Sequence, residues 1–224
     1  MSHSLITPQA FNLPRLNEKV ILLIQSGHFY LFHEFVQGSK IKSFGPVKRF
    51  NFESGEKRVS VLGGMIGAPL ALMTLENAVA SGAKEFLAFG TAGLLKEPTP
   101  GVPILFSPAW GIDETSLVLN YGGVAGLTGL NPFEDLRVEE GLVSVNSPYL
   151  LNRDKLRDYL ENDIAYIDME MVPLAYLARE RGCRLFPLLL ISDRIEKDEN
   201  WLNESGSREF KAGLDQGLSL LKNK

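Results

Sequence analysis

Arg58-Val59-Ser60-Val61-Leu62-Gly63-Gly64-Met65-Ile66-Gly67-Ala68-Pro69-Leu70 decides the fold. A β-branched run, Arg58–Leu62, enters a glycine turn, and Leu70–Ala80 then repeats Ala71, Leu75, Ala78 and Val79 at helical spacing until Gly82 stops it. Glu85-Phe86-Leu87-Ala88-Phe89 is the next strand and leads into a second glycine turn, Gly90-Thr91-Ala92-Gly93. Strand, turn, helix, strand is a βαβ unit, and such units pack as right-handed crossovers in a parallel sheet.

Working outward, Lys19–Ile24 reads as a buried strand ended by Ser26-Gly27, with a loop expected after it. Phe50–Glu53 and Arg58–Leu62 flank the turn Ser54-Gly55-Glu56 as a hairpin. Val102–Phe106 and Leu117–Leu119 read as strands around a loop, Ala109–Ser116, and glycine-rich Asn120–Gly141 as the mobile loop. Asn152–Leu160 and Met171–Arg181 are helices, the latter tolerating Pro173 in its first turn. Arg184–Ile191 suits a central strand, although Pro187 requires a bulge or an edge. Arg208–Leu221 closes the chain as a helix with Phe210, Leu214, Leu218 and Leu221 as its apolar stripe. These elements predict one α/β domain over residues 1–224, a central mixed β-sheet flanked by α-helices, preceded by an N-terminal arm at 1–17.

Composition narrows the function. The 224 residues are 45% apolar with a net charge of −4, and the basic residues form no stripe of the kind nucleic acid requires. Val20–Ile24 and Leu185–Ile191, the longest apolar runs, fall far short of the roughly 18 residues of a membrane-spanning helix. Met1–Arg15 lacks the basic start and apolar block of a secretory signal, so a cytoplasmic protein is expected. Cys183, the one cysteine, permits no internal disulfide or multi-cysteine zinc site and reads as a small packing residue between a helix and a strand. His3, His28 and His33 lack the spacing of a metal site. Leu62 occupies the first glycine position of a dinucleotide fingerprint, and no serine sits in G-x-S-x-G.

Two acidic sites remain. Ile167-Asp168-Met169-Glu170 sets carboxylates between a strand end and a helix start, and Ser192-Asp193 ends the apolar strand. Strand ends in open α/β sheets are where ligands bind. Helix capping is the competing role for Asp168 and Glu170, and capping of the following turn is the competing role for Asp193.

The order of these segments over residues 18–222 resembles the nucleoside phosphorylase and nucleosidase superfamily, which includes purine nucleoside phosphorylase, uridine phosphorylase and methylthioadenosine nucleosidase. Gly64-Met65-Ile66-Gly67-Ala68-Pro69 resembles its glycine turn and Phe89-Gly90-Thr91-Ala92-Gly93 its G-[TS]-x-G segment. Asp168-Met169-Glu170 resembles its [DE]-M-E motif, and Ile191-Ser192-Asp193 the V-S-D of purine-acting members. The resemblance implies a nucleoside phosphorylase-like domain that cleaves an N-glycosidic bond through an oxocarbenium-like transition state. Asp193 is then the general acid at the purine N7, oriented by Ser192. Glu170 accepts from the ribose hydroxyls and Met169 packs on the sugar, with Thr91, Ala92 and Gly93 completing the substrate site. Arg208 lies near where some purine members carry an arginine that closes on the catalytic Asp.

The acceptor site departs from the relatives. Phosphorylases carry G-D-P-x-R after the first strand and an arginine two positions before G-[TS]-x-G, where this chain has Ser26-Gly27-His28-Phe29-Tyr30 and Ala88. Hydrolytic members carry a first-loop glutamate, and here no acidic residue follows the first strand before Glu34. The expected phosphate-binding groups are Gly27, Gly90, Thr91 and Arg49, with Lys48 or Arg49 reaching a neighbouring subunit's site. Gln9 in Thr7-Pro8-Gln9 stands where phosphorylases place a partner-directed histidine. The expectation is therefore a purine nucleoside or analogue as substrate, inorganic phosphate as co-substrate slightly ahead of water, no other cofactor or metal, and a homodimer or trimer of dimers. A hydrolytic nucleosidase, and a nucleoside-binding protein without turnover, are the alternatives.

Overall fold

In the computed structural model, which describes residues 8, 12–97, 104–115, 124–127, 133–196 and 200–223, the βαβ unit folds as read. β1 (Lys19–Leu23) runs parallel to both β4 (Lys57–Gly63) and β5 (Glu85–Leu94), with Val20 opposite Ser60 on one side and Phe86 on the other. α2 (Ala68–Ala80) makes the crossover, and its Ala71, Leu75 and Ala78 share one apolar cluster with Val20, Leu22, Leu62 and Phe86. β3 (Val47–Ser54) pairs antiparallel with β4 as the expected hairpin, and β2 (Lys42–Phe44) extends it outward.

Several local expectations change. The loop expected after Ser26 is a helix, α1 (Ser26–Val36), because His28, Phe29 and Phe32 fall on one face and bury there. Gly27 is tolerated since it lies in the first turn, before the helix interior where glycine costs about 1 kcal/mol. Gly90-Thr91-Ala92-Gly93 is extended strand rather than turn, since β12 (Arg184–Ile195) pairs with β5 through these residues, Leu189 opposite Gly90 and Ile191 opposite Ala92. The loop expected at Ala109–Ser116 contains β7 (Trp110–Asp113), which gains partners on both sides: β10 (Gly141–Ser144) and β8 (Val124–Gly126). Leu117–Leu119 lies outside the described residues, as do 120–123 and 128–132 of the loop expected at Asn120–Gly141, Thr7, Gln9 and most of the arm at 1–17. The described part of that loop is not free coil but supplies β8, a 3-10 turn at Glu134–Leu136, β9 (Arg137–Val138) and the start of β10.

Among the described residues, the strands order as β2-β3-β4-β1-β5-β11-β10-β7-β8, where β11 (Ile164–Asp168) is antiparallel to β5. β12 branches from β5 and carries β6 (Leu105–Pro108) and β13 (Trp201–Asn203), and β9 (Arg137–Val138) pairs with β6. This is the expected single α/β domain with a mixed central sheet. Pro187 sits where β12 has β5 as its described partner, before β6 joins at Leu189, so its missing N–H interrupts no described ladder bond. α2 packs with α4 (Met171–Glu180), whereas α1 packs with α5 (Arg208–Lys222), each pair joined to its own apolar cluster. α3 (Arg153–Glu161), capped by the Asn152 side chain on Lys155 N–H, covers β11. No described helix is long and apolar enough to cross a membrane.

Candidate active site

β11 ends at Asp168 and α4 begins at Met171, so the intervening Met169-Glu170 must turn the chain sharply from sheet to helix. Asp168 secures that turn: its Oδ2 accepts from Met171 N–H at 2.8 Å and Glu170 N–H at 3.2 Å. Its Oδ1 accepts from Ser144 Oγ, which in turn accepts from Val172 N–H at 3.0 Å. The capping role raised as an alternative describes Asp168 well, since three donors hold a carboxyl that is only 5% exposed.

Glu170 is equally buried but does not cap its own helix. Its Oε1 accepts from Gly67 N–H at 2.5 Å, which ties the α4 start to the glycine turn before α2. Gly67 has φ +89°, a conformation that L side chains rarely adopt, and that geometry presents the N–H to the carboxylate. Burial, and then the Asp168 charge beside it, push the Glu170 carboxyl well above the usual carboxylate range. Burial also raises Asp168, but its hydrogen bonds to Ser144 and the α4 backbone oppose that rise. Burial thus raises both carboxyls, and the hydrogen bonds from Ser144 and the α4 backbone to Asp168 and from Gly67 to Glu170 oppose that rise.

Ser192 is the extra residue of a bulge in β12, where the register with β5 shifts between Ile191 and Asp193. Ser192 Oγ donates to Asp193 Oδ2 at 2.5 Å, and Asn203 Nδ2, from the antiparallel β13, donates to Oδ1 at 2.9 Å. A cavity of about 140 Å³ joins these groups: Gln25, Thr91, Ala92, Gly93, Asp168, Met169, Glu170, Ser192 and Asp193 all line it. Gln25 Nε2 donates to Thr91 Oγ1, while Gln25 Oε1 is buried without a hydrogen-bond partner.

The fold thus brings together seven sequence-predicted residues: Thr91, Ala92, Gly93, Met169, Glu170, Ser192 and Asp193. The other four stand apart from the described lining. Gly27 lies in the first turn of α1, and Gly90 is wedged where a Cβ would be 3.1 Å from both Ile24 Cγ1 and Met171 Cε. Arg49 is half-buried on β3, and Arg208 is exposed at the start of α5. Ala88 is fully buried in the core, His28 packs against Phe89 at 5.2 Å between ring centroids, and Phe29 fills the space over Gly63. No group of three metal-ligating side chains occurs among the described residues. Sequence reading missed Gln25, Trp201 and Asn203. Gln25 follows directly on the apolar β1 run, and Trp201 is an aromatic in the polar stretch 196–207, which are the signals that single them out.

The sequence model of the phosphorylase superfamily matches residues 124–214, which contain both the Asp168-Met169-Glu170 and Ser192-Asp193 motifs. No curated protein matches the chain by sequence. Purine nucleoside phosphorylase from Toxoplasma gondii, solved with immucillin-H, superposes with a TM-score of 0.79 at 17% identity, over 100% of this chain and 96% of that one. Uridine phosphorylase from Vibrio fischeri gives 0.72 at 16% identity, over 99% and 96%. A futalosine hydrolase mutant from Helicobacter pylori gives 0.70 at 14%, over 92% and 97%. At these identities the likeness establishes the fold, and its members include both phosphorylases and a hydrolase.

Proposed function

We infer, from the phosphorylase-superfamily match and the nucleoside phosphorylase fold, that this protein cleaves the N-glycosidic bond of a purine nucleoside or a close analogue. The observation that carries this reading is the convergence of Glu170, from the turn between β11 and α4, and Asp193, from the bulge within β12, on one cavity. Glu170 accepts from the ribose hydroxyls, which replace its proton as donors, and Met169 packs on the sugar face. Asp193, steadied by Ser192 and Asn203, hydrogen-bonds or protonates the purine N7. As the bond from C1′ to the base nitrogen breaks, its electron pair passes to the base, and an acceptor oxygen bonds to C1′.

Phosphate is the acceptor if Arg49 or Lys48 of a second subunit completes the site, which makes a homo-oligomer part of this reading. A hydrolytic reading has its own support. The described lining carries Asp168, Glu170 and Asp193 and neither Lys nor Arg, a field that suits neutral water better than a phosphate dianion. Gln25 and Thr91 supply neutral hydrogen-bonding groups there.

Product analysis with inosine, adenosine and methylthioadenosine, each with and without phosphate, tests both. Ribose 1-phosphate formed only with phosphate assigns a phosphorylase, and free sugar formed without it assigns a nucleosidase. Absence of base release from all three, with retained calorimetric binding, overturns catalysis in favour of a binding protein.

A further inference from the structure

Trp201 stands between two cavities. The inner one, about 140 Å³, holds the ribose-binding groups around Glu170, and the outer one measures about 750 Å³. Pro148, Asp193 and Trp201 line both. Small-molecule sites typically enclose about 300–1,000 Å³. The inner cavity is therefore too small for a whole nucleoside, and the outer one exceeds what a bare base needs.

The indole is set in place from behind. A Cβ on Gly93 would lie 2.4 Å from Trp201 Cη2 and 2.8 Å from Cζ2, so the glycine lets the six-membered ring rest directly on β5. β13 holds the residue from the side, with Trp201 opposite Ile195 and Asn203 opposite Asp193. Trp201 nevertheless keeps 43% of its surface exposed. Leu151, Leu156 and Ile195 give the outer cavity an apolar wall, while Asn152 and Asn200 add polar groups to its lining.

We propose that the outer cavity is a leaving-group site, in which an aromatic base enlarged at the end remote from its glycosidic nitrogen lies against the Trp201 indole. The inference rests on the reading that Glu170 holds the sugar and Asp193 the base. With the sugar in the inner cavity and N7 at Asp193, the far ring of the base extends beyond Asp193, where the outer cavity opens. Trp201 offers that ring a flat partner of matching size, and the apolar wall beyond takes an aryl or alkyl substituent. Trp201 then determines specificity without touching the reacting atoms.

The two tryptophans are Trp110 and Trp201, so a Trp110→Phe background makes fluorescence report on Trp201 alone. Purine and 6-phenylpurine are titrated into it. Both are expected to quench Trp201, and 6-phenylpurine is expected to bind at least tenfold more tightly. Leu156→Phe, which narrows the outer cavity without adding a second tryptophan, should abolish that advantage while leaving purine affinity within twofold. Trp201→Leu, measured by calorimetry, should weaken both about tenfold. Equal or weaker binding of 6-phenylpurine, or titration without a change in Trp201 emission, overturns the proposal. Absence of base release by the wild type from inosine, adenosine and methylthioadenosine alike, with binding retained, overturns the catalytic reading instead, and the base-binding comparison is decided independently of it.

Discussion

Asn203 Nδ2 donates to Asp193 Oδ1 at 2.9 Å, so the strand that returns beside β12 holds the carboxylate at its end. Ser192 Oγ takes the other oxygen. Two neutral donors fix the orientation of the Asp193 carboxyl, as the proposed delivery of a proton to one ring nitrogen requires. General acid catalysis contributes roughly 10²–10⁴-fold, so Asp193→Asn is expected to lower kcat by at least about a hundredfold in that range while nucleoside binding persists. Asn203→Ala removes only the positioning bond and should lower kcat about tenfold with KM nearly unchanged, the equivalent of about 1.4 kcal/mol. Steady-state kinetics of the two variants check this, and unchanged turnover in Asp193→Asn would reassign the acid.

Glu170 predicts a trade between stability and function. Its folded-state pKa is raised above 4.5 by burial and by Asp168, so the folded protein binds the proton more tightly than the unfolded chain. Stability from this group is full below about pH 4.5 and declines as pH rises toward the raised value. Glu170→Gln keeps an acceptor for Gly67 N–H and removes the charge. It should raise Tm at pH 7.5, flatten this part of the stability profile, and weaken nucleoside binding at least about tenfold, since hydrogen bonds to a charged acceptor contribute roughly 1.5–3 kcal/mol. Wild-type binding should also release a proton, seen as a buffer-dependent calorimetric enthalpy that Glu170→Gln lacks. A lower Tm for the variant would contradict this account.

His28 acts in the opposite direction. Burial against Phe89 and Phe210 lowers its pKa from 6.5 to about 4, and its Nδ1 has no hydrogen-bond partner. The unfolded chain takes up the proton first, so the stability contribution is full above pH 6.5 and lost as pH falls toward 4. At about 1.4 kcal/mol per pKa unit, the loss amounts to about 3 kcal/mol. His28→Phe puts an apolar ring among apolar rings and should leave stability at pH 7.5 unchanged or higher while markedly reducing acid sensitivity between pH 6 and 4. Urea denaturation across that range measures it, and an unchanged acid slope would exonerate His28.

The sequence made the strand-to-helix placement of Asp168-Met169-Glu170 legible because an apolar run meeting a helical repeat is a local signal. It made the mixed sheet legible for the same reason. What it hid depended on distant partners. Gly90 and Gly93 read as a turn in isolation, yet β12 keeps them extended, and the large side chains they admit, Met171 and Trp201, come from segments about 80 and 110 positions away. The α1 helix was masked by Ser26-Gly27 at its start, although its aromatic stripe carries the helical period. Gln25 gave only its place after the β1 run, since a single amide there gains meaning only when Thr91 is brought beside it.

Ser144 holds the Asp168 member of the carboxylate pair. Fully buried on β10, it donates to Asp168 Oδ1 and accepts from Val172 N–H, joining strand, strand and helix through one hydroxyl. Ser144→Ala leaves a buried carboxylate one donor short and a buried N–H without its acceptor, each costing about 1–3 kcal/mol. A total destabilisation of about 2–6 kcal/mol follows on the same scale. Asp168→Asn removes the charge that needs the donor, so the double variant should lose clearly less than the sum of the two singles, a coupling that neighbours sharing one network display. The same Asp168→Asn change also withdraws the negative charge that helps raise Glu170, so the proton released on nucleoside binding should move to lower pH. Additive losses in the double-mutant cycle would mean that Ser144 supports the α4 backbone alone, and an unshifted proton release would mean that burial by itself sets Glu170.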